Sequence, residues 1–168
     1  SGDVERLRKL GGMVAIIPHQ GDGSEIRTYR DRDGRWGRTV VEHTCGNTSE
    51  TVAQAYLYAI DRMKGAPVGL GTDLNGFAGV PGPRFGLEGC TGTKGYNLQL
   101  ATAGVMQSKN PRVNYPFTIN GPGVAIQNIP MSTMGTKPRI FDFNVEGLAH
   151  VGMLPDMIAD WQAMGMTA

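Results

Sequence analysis

Asp73 follows a short apolar stretch, Val68-Gly69-Leu70-Gly71-Thr72, and opens a glycine-containing turn, Leu74-Asn75-Gly76. A carboxylate directly after a buried strand is costly unless it is paired, ligated or exposed. Beside a metal-bound water, such a carboxylate can carry a proton to a leaving amine. The same residues also suit an Asx turn, in which Asp73 bonds only to its own local backbone. Arg84 lies in the loop beyond it, Gly82-Pro83-Arg84-Phe85-Gly86. A guanidinium there can clamp a substrate carboxylate or stand in solvent as a loop cation. His19 closes the apolar run Met13–Ile17 at its carboxyl end, and His150 precedes a helix start. Both are read either as residues facing a substrate or as solvated imidazoles. His43 stands before Thr44-Cys45, but two distant cysteines and no second ligand at helical spacing do not build a zinc site. The chain contains no His-Glu-x-x-His, no Gly-x-Ser-x-Gly and no Walker A lysine loop. The methionines of 131–134 and 153–166 read as packing.

These residues need elements to position them. Asp3 as N-cap, Val4, Leu7 and Leu10 at helical spacing, and Gly11 as stop predict a short helix over Val4–Leu10. Met13–Ile17, ended by Pro18, predicts a strand buried on both faces. Thr48 or Ser49 caps an amphipathic helix whose stripe is Val52, Ala55, Tyr56, Ala59, Ile60 and Met63. Gly65 ends that helix, and Pro67 leads into a strand over Val68–Thr72. This order is the grammar of a parallel sheet with crossover helices. Val113–Ile119 and Arg139–Phe143 are expected to pair as strands of an excursion, with the Met/Pro/Gly-rich segment 121–138 outside the core. Pro155 starts a last helix reaching about Met164, with Met157, Ile158, Trp161 and Met164 on one face.

Composition bounds the function. The 168 residues suit one domain, while 25 Gly and 10 Pro indicate much backbone in loops. A formal charge of +1 gives no pull toward nucleic acid, and the arginines of 27–38 alternate with aspartates. No apolar run approaches the ~18 residues of a membrane span. Cys45 and Cys90 either pair or remain free thiols, and two cysteines do not decide the compartment. Two strong parallel strands with flanking helices cannot cover both faces of a sheet, so further strands are expected, in this chain or beyond it.

Three segments carry a resemblance: Gly69-Leu70-Gly71-Thr72-Asp73, Gly147-Leu148-Ala149-His150-Val151 and Leu154-Pro155-Asp156-Met157-Ile158. In this order they resemble the carboxyl-terminal part of the membrane dipeptidase family (renal dipeptidase-like), a zinc-dependent branch of the amidohydrolases. Val4–Val14 resembles the helix and strand that precede them there. Asn75 stands where the family often has a second Asp, and Ala149 where it has Glu. The resemblance covers residues 1–77 and 140–168, with about 85–139 as a loop-rich insertion. It implies an α/β fold, the C-terminal part of a (β/α)8 TIM-type barrel, with its site at the carboxyl end of the strands. It implies one or two zinc ions whose other ligands would lie upstream of Ser1, and a final helix beyond Ala168. Asp73 is then the catalytic and metal-side carboxylate, and Arg84, His19 and His150 are candidate substrate-binding residues. The implied activity is hydrolysis of a small amide or dipeptide, by a chain that needs its missing N-terminal barrel half or a partner chain. The alternative is a non-catalytic subunit or interaction domain derived from such a barrel.

Overall fold

The computed structural model describes residues 2–18, 41–74, 79–121 and 124–166. Helix α1 (Gly2–Lys9) has Asp3 and Glu5 in its first turn and basic residues in its last, matching the helix dipole. It begins before the predicted cap, so Asp3 lies inside the first turn. Strand β1 (Val14–Ile16) follows, then helix α2 (Ser49–Met63) and strand β2 (Val68–Leu70). β1 and β2 pair in parallel, with Val14 opposite Val68 and Ile16 opposite Leu70. Helix α2 lies between them in the chain and packs on both, so the predicted crossover unit is present.

The strands are shorter and more exposed than their sequence suggests. Met13 is 56% exposed and Ile17 43% exposed. The physical reason is a lack of neighbours: among the described residues this sheet has only two strands. No closed sheet is found among them.

Thr48 caps α2, its hydroxyl accepting from the Glu50 N–H and donating to the Cys45 carbonyl at 2.7 Å. Lys64 takes a left-handed conformation at the other end. The predicted apolar stripe holds for Val52, Ala59 and Met63 but not for Ile60, which is exposed. Instead the whole amino-terminal half of α2 is buried, polar residues included, from Ser49 to Gln54.

The second half of the chain departs further from expectation. Short helix α3 (Leu98–Thr102) precedes two hairpins. One pairs β3 (Phe117–Gly121) with β4 (Val124–Ile129), the other β5 (Ser132–Met134) with β6 (Arg139–Phe141), all antiparallel. The two predicted strands therefore pair with nearer partners rather than with each other, as sequence-local hairpins close at lower entropic cost. The segment 121–138, expected outside the core, supplies β4 and β5, whose described side chains are mostly exposed, Ile126 and Met134 among them. A short turn of helix, α4 (Phe143–Glu146), then leads to α5 (Leu154–Ala163), with Pro155 in its first turn as predicted.

One core joins these parts. Val41, Val52 and Ala53 pack with Val113, Phe117, Phe141, Phe143, Leu148, Met153, Met157, Trp161 and Met164. Residues of the 85–139 segment thus share their interior with residues of the segments 1–77 and 140–168. Gly147 has a steric role at one seam. Its φ is +65°, and a Cβ there would stand 2.4 Å from the Pro81 carbonyl oxygen, so only glycine fits. Leu148 N–H donates to that same oxygen at 3.0 Å.

Cys45 and Cys90 form a disulfide across 45 residues of chain, both cysteines buried. Closing a loop of that size restricts the unfolded chain by an amount worth about 4 kcal/mol. Replacing both cysteines by serine is therefore expected to lower unfolding stability by about 2–4 kcal/mol, read from urea denaturation.

Candidate functional site

The residues singled out from the sequence do not converge. Asp73 lies past the carboxyl end of β2, exposed, with φ +45°. A left-handed backbone is uncommon outside glycine, and aspartate is among the residues that tolerate it. Among the described residues no hydrogen bond or ion pair holds its carboxylate. It stands past the carboxyl end of a parallel strand, where α/β folds collect their ligands. His19 lies outside the described residues.

Arg84 is neither a loop cation nor free to clamp a substrate. It is 2% exposed, and every N–H of its fork has a partner. Nε donates to Asp160 Oδ2 at 3.1 Å and Nη2 donates to Asp160 Oδ1, a bidentate pair. Nη1 donates to Ser108 Oγ at 2.6 Å and weakly to the Asn110 carbonyl, while Nη2 also reaches the Pro111 carbonyl at 2.6 Å. The expectation that Arg84 meets substrate is corrected by this count: no donor is left over.

A second carboxylate, Glu50, stands 3.7 Å from Arg84 Nη1 and has no exposed surface. Its Oε2 accepts the backbone N–H groups of Thr44 at 2.6 Å and Cys45 at 2.8 Å. Its Oε1 accepts from Ser108 Oγ and from Asn110 Nδ2 at 2.9 Å. Ser49 Oγ donates to Asp160 on the far side, and Trp161 Nε1 donates to the Ser49 carbonyl at 3.0 Å. Burial pushes the Asp160 carboxyl above its ordinary range, and the Arg84 guanidinium opposes that shift. Sequence reasoning singled out neither Asp160 nor Glu50, the latter being an ordinary acid of a helix first turn. A signal existed: Asp156 and Asp160 are four apart, beside the apolar face of Met157, Trp161 and Met164.

His150 caps the turn at Val151–Met153. Its Nδ1 accepts the Gly152 N–H at 3.1 Å, so the proton of the neutral ring is on Nε2, which faces Ser132 Oγ at 3.4 Å. In that tautomer the ring cannot take a proton from the serine, and the pair is not a nucleophile with its base. The ring also meets Phe141 edge-on at 4.7 Å. His43 is buried with Nε2 2.9 Å from Thr51 Oγ1, and the neighbouring Cys45 sulfur is taken by the disulfide. Among the described residues, no group of three or more His, Cys, Asp or Glu side chains is placed to hold a metal. No helix among them is long and apolar enough to cross a membrane.

A further pair, half-buried Tyr115 and buried Asp156, joins the segment before β3 to α5. Tyr115 Oη donates to Asp156 Oδ1 at 2.6 Å and accepts the Phe143 N–H at 3.2 Å. Burial, then the bond to Asp156, pushes the Tyr115 phenol far above its ordinary range. Burial likewise raises the Asp156 carboxyl, against the lowering effects of the Tyr115 bond and of His150.

No protein-family model, curated protein or solved structure matches this chain.

Two outcomes follow from this geometry. Arg84→Met leaves Glu50 and Asp160 buried without their cation and is expected to cost about 3–5 kcal/mol of unfolding free energy. Asp156 has a folded pKa above its ordinary 3.8, so its contribution to stability is complete below that value and is lost as pH rises through the raised pKa. Asp156→Asn keeps the acceptor for Tyr115 without the titration. It is expected to match the parent protein at acid pH and to exceed its stability at neutral pH, by thermal melting at both.

Proposed function

We propose that this chain is the carboxyl-terminal part of a (β/α)8 amidohydrolase of the membrane dipeptidase type, cleaving a small amide or dipeptide through metal-activated water. The observation that carries the reading is the β1–α2–β2 unit. It is a parallel pair with a crossover helix, and it ends in an exposed carboxylate, Asp73, held in a left-handed conformation. Backbone in that region concentrates at functional sites. The apolar exposure of Met13 and Ile17 on the two-stranded sheet supports further strands beside it, supplied by the missing barrel half or a partner chain.

A zinc site takes three or four protein ligands, and these residues offer one suitable carboxylate. The described part of this chain alone therefore does not form the centre. When bound, the metal supplies a hydroxide near neutral pH. Asp73 is assigned the accepting or relaying of a proton and the anchoring of a substrate ammonium. Arg84 and His150 have structural roles in this reading, as a core cation and a turn cap.

The second reading is a non-catalytic subunit of such a barrel. It is favoured by Asn75 and Ala149, which are neutral where the family often has acids. The two are separated by Asp73→Asn in the metal-loaded whole protein or complex. The enzyme reading expects kcat to fall by about 10²–10⁴ with melting temperature unchanged. Undiminished dipeptide hydrolysis by the variant, or by the 168-residue chain alone, would falsify the assignment of Asp73.

A further inference from the structure

A cleft of about 800 Å³ lies between α1 and the carboxyl end of α2. Arg8 and Lys9 line it from α1, Arg62 and Lys64 from α2 and its cap, and Glu5 is the acid among the lining residues. Four cations against one carboxylate is a strong local excess on a chain whose formal charge is +1. The excess is not cancelled by ion pairing: Lys9 reaches Glu5 at 3.3 Å, an exposed pair of little strength, and Arg62 stands 4.0 Å from Asp61.

Helix dipoles account for cations in a last turn. They do not account for two further observations. Arg62 Nε has no hydrogen-bond partner among the described residues, its nearest acid being Asp61 Oδ2 at 4.0 Å, and the partly exposed guanidinium lies over the Tyr58 ring at 4.9 Å. Two glycines, Gly2 and Gly65, also line the cleft. A Cβ on Gly2 or on Gly65 would meet no atom within 4 Å.

We propose that this cleft binds a phosphate-bearing small molecule. Phosphate oxygens suit the site because they accept several charge-assisted hydrogen bonds at once, from the guanidiniums of Arg8 and Arg62 and the ammonium groups of Lys9 and Lys64. The volume accommodates more than one phosphate with room for an attached group. The site lies at the amino end of β2, beyond Ala66, whereas Asp73 lies past the carboxyl end. It is thus separate from the proposed catalytic carboxylate and does not rest on that assignment.

Inorganic diphosphate titrated into the full chain, followed by calorimetry and phosphorus NMR at low salt, tests this. Saturable binding with a dissociation constant at or below about 1 mM is expected, weakening as salt is raised. Arg62→Gln and Lys64→Gln should each weaken it by roughly tenfold. Arg62→Lys keeps the charge but loses the Nε donor, and is expected to weaken binding by a smaller factor. Lys137→Gln, an exposed cation elsewhere, should leave it unchanged. Melting temperatures of the variants establish that they are folded. Absence of saturable binding overturns the proposal, and so does an equal loss in Lys137→Gln, which would mean attraction to net charge alone.

Discussion

Two carboxylates without exposed surface, Glu50 and Asp160, share one buried guanidinium, and the arrangement of the described chain depends on that contact. A buried charge is tolerated only when its partners are complete. Here they are complete because five separate stretches contribute. The loop at Thr44–Cys45 gives backbone N–H groups, and the first turn of α2 gives Glu50 and Ser49. The Arg84 loop gives the cation, residues 108–111 give hydroxyl, amide and carbonyl groups, and α5 gives Asp160. Any displacement of one stretch leaves a charge or a donor unmet in several others. This explains why the amino-terminal half of α2 is buried all round, against its amphipathic pattern. The disulfide lies in the same region: Cys45 donates its N–H to Glu50, and Cys90 follows six residues after Arg84.

From this anchor, α2 extends to the two-stranded parallel sheet. The contrast between its ends is the main mechanical feature of the molecule. One end is held by ion pairs, a disulfide and the packed face of α5. The other ends in a left-handed Lys64 and passes to strands that are half-exposed. Asp73 belongs to the second region. Its carboxylate is exposed, with no hydrogen bond or ion pair among the described residues.

The direction of the α/β unit sorts its chemistry. Strands of one direction place loops after their carboxyl ends on one side and helix carboxyl ends on the other. The acid, Asp73, falls on the first side. The cations Arg62 and Lys64 fall on the second, and Arg8 and Lys9 of α1 join them there. Two oppositely charged places thus stand at opposite ends of a strand three residues long.

Local features were legible in the sequence because they obey local rules. The cap at Thr48, the stop at Lys64-Gly65, the strand after Pro67, Pro155 in the first turn of α5 and the parallel pairing of β1 with β2 all follow from spacing and backbone preference. Asp73 at the end of its strand follows in the same way. Other features depend on distant neighbours, and no window of sequence contains them. Whether Cys45 meets Cys90, which partner Phe117–Gly121 chooses, and why Gly147 must be glycine are set by contacts across tens of residues. Arg84 is the clearest case. In sequence it is a cation in a Gly/Pro-rich loop, the setting of an exposed or substrate-facing group. Only the tertiary structure brings Asp160, 76 residues away, and Glu50 to its fork, and a buried fork with all five donors engaged holds the fold together instead of reaching for a ligand.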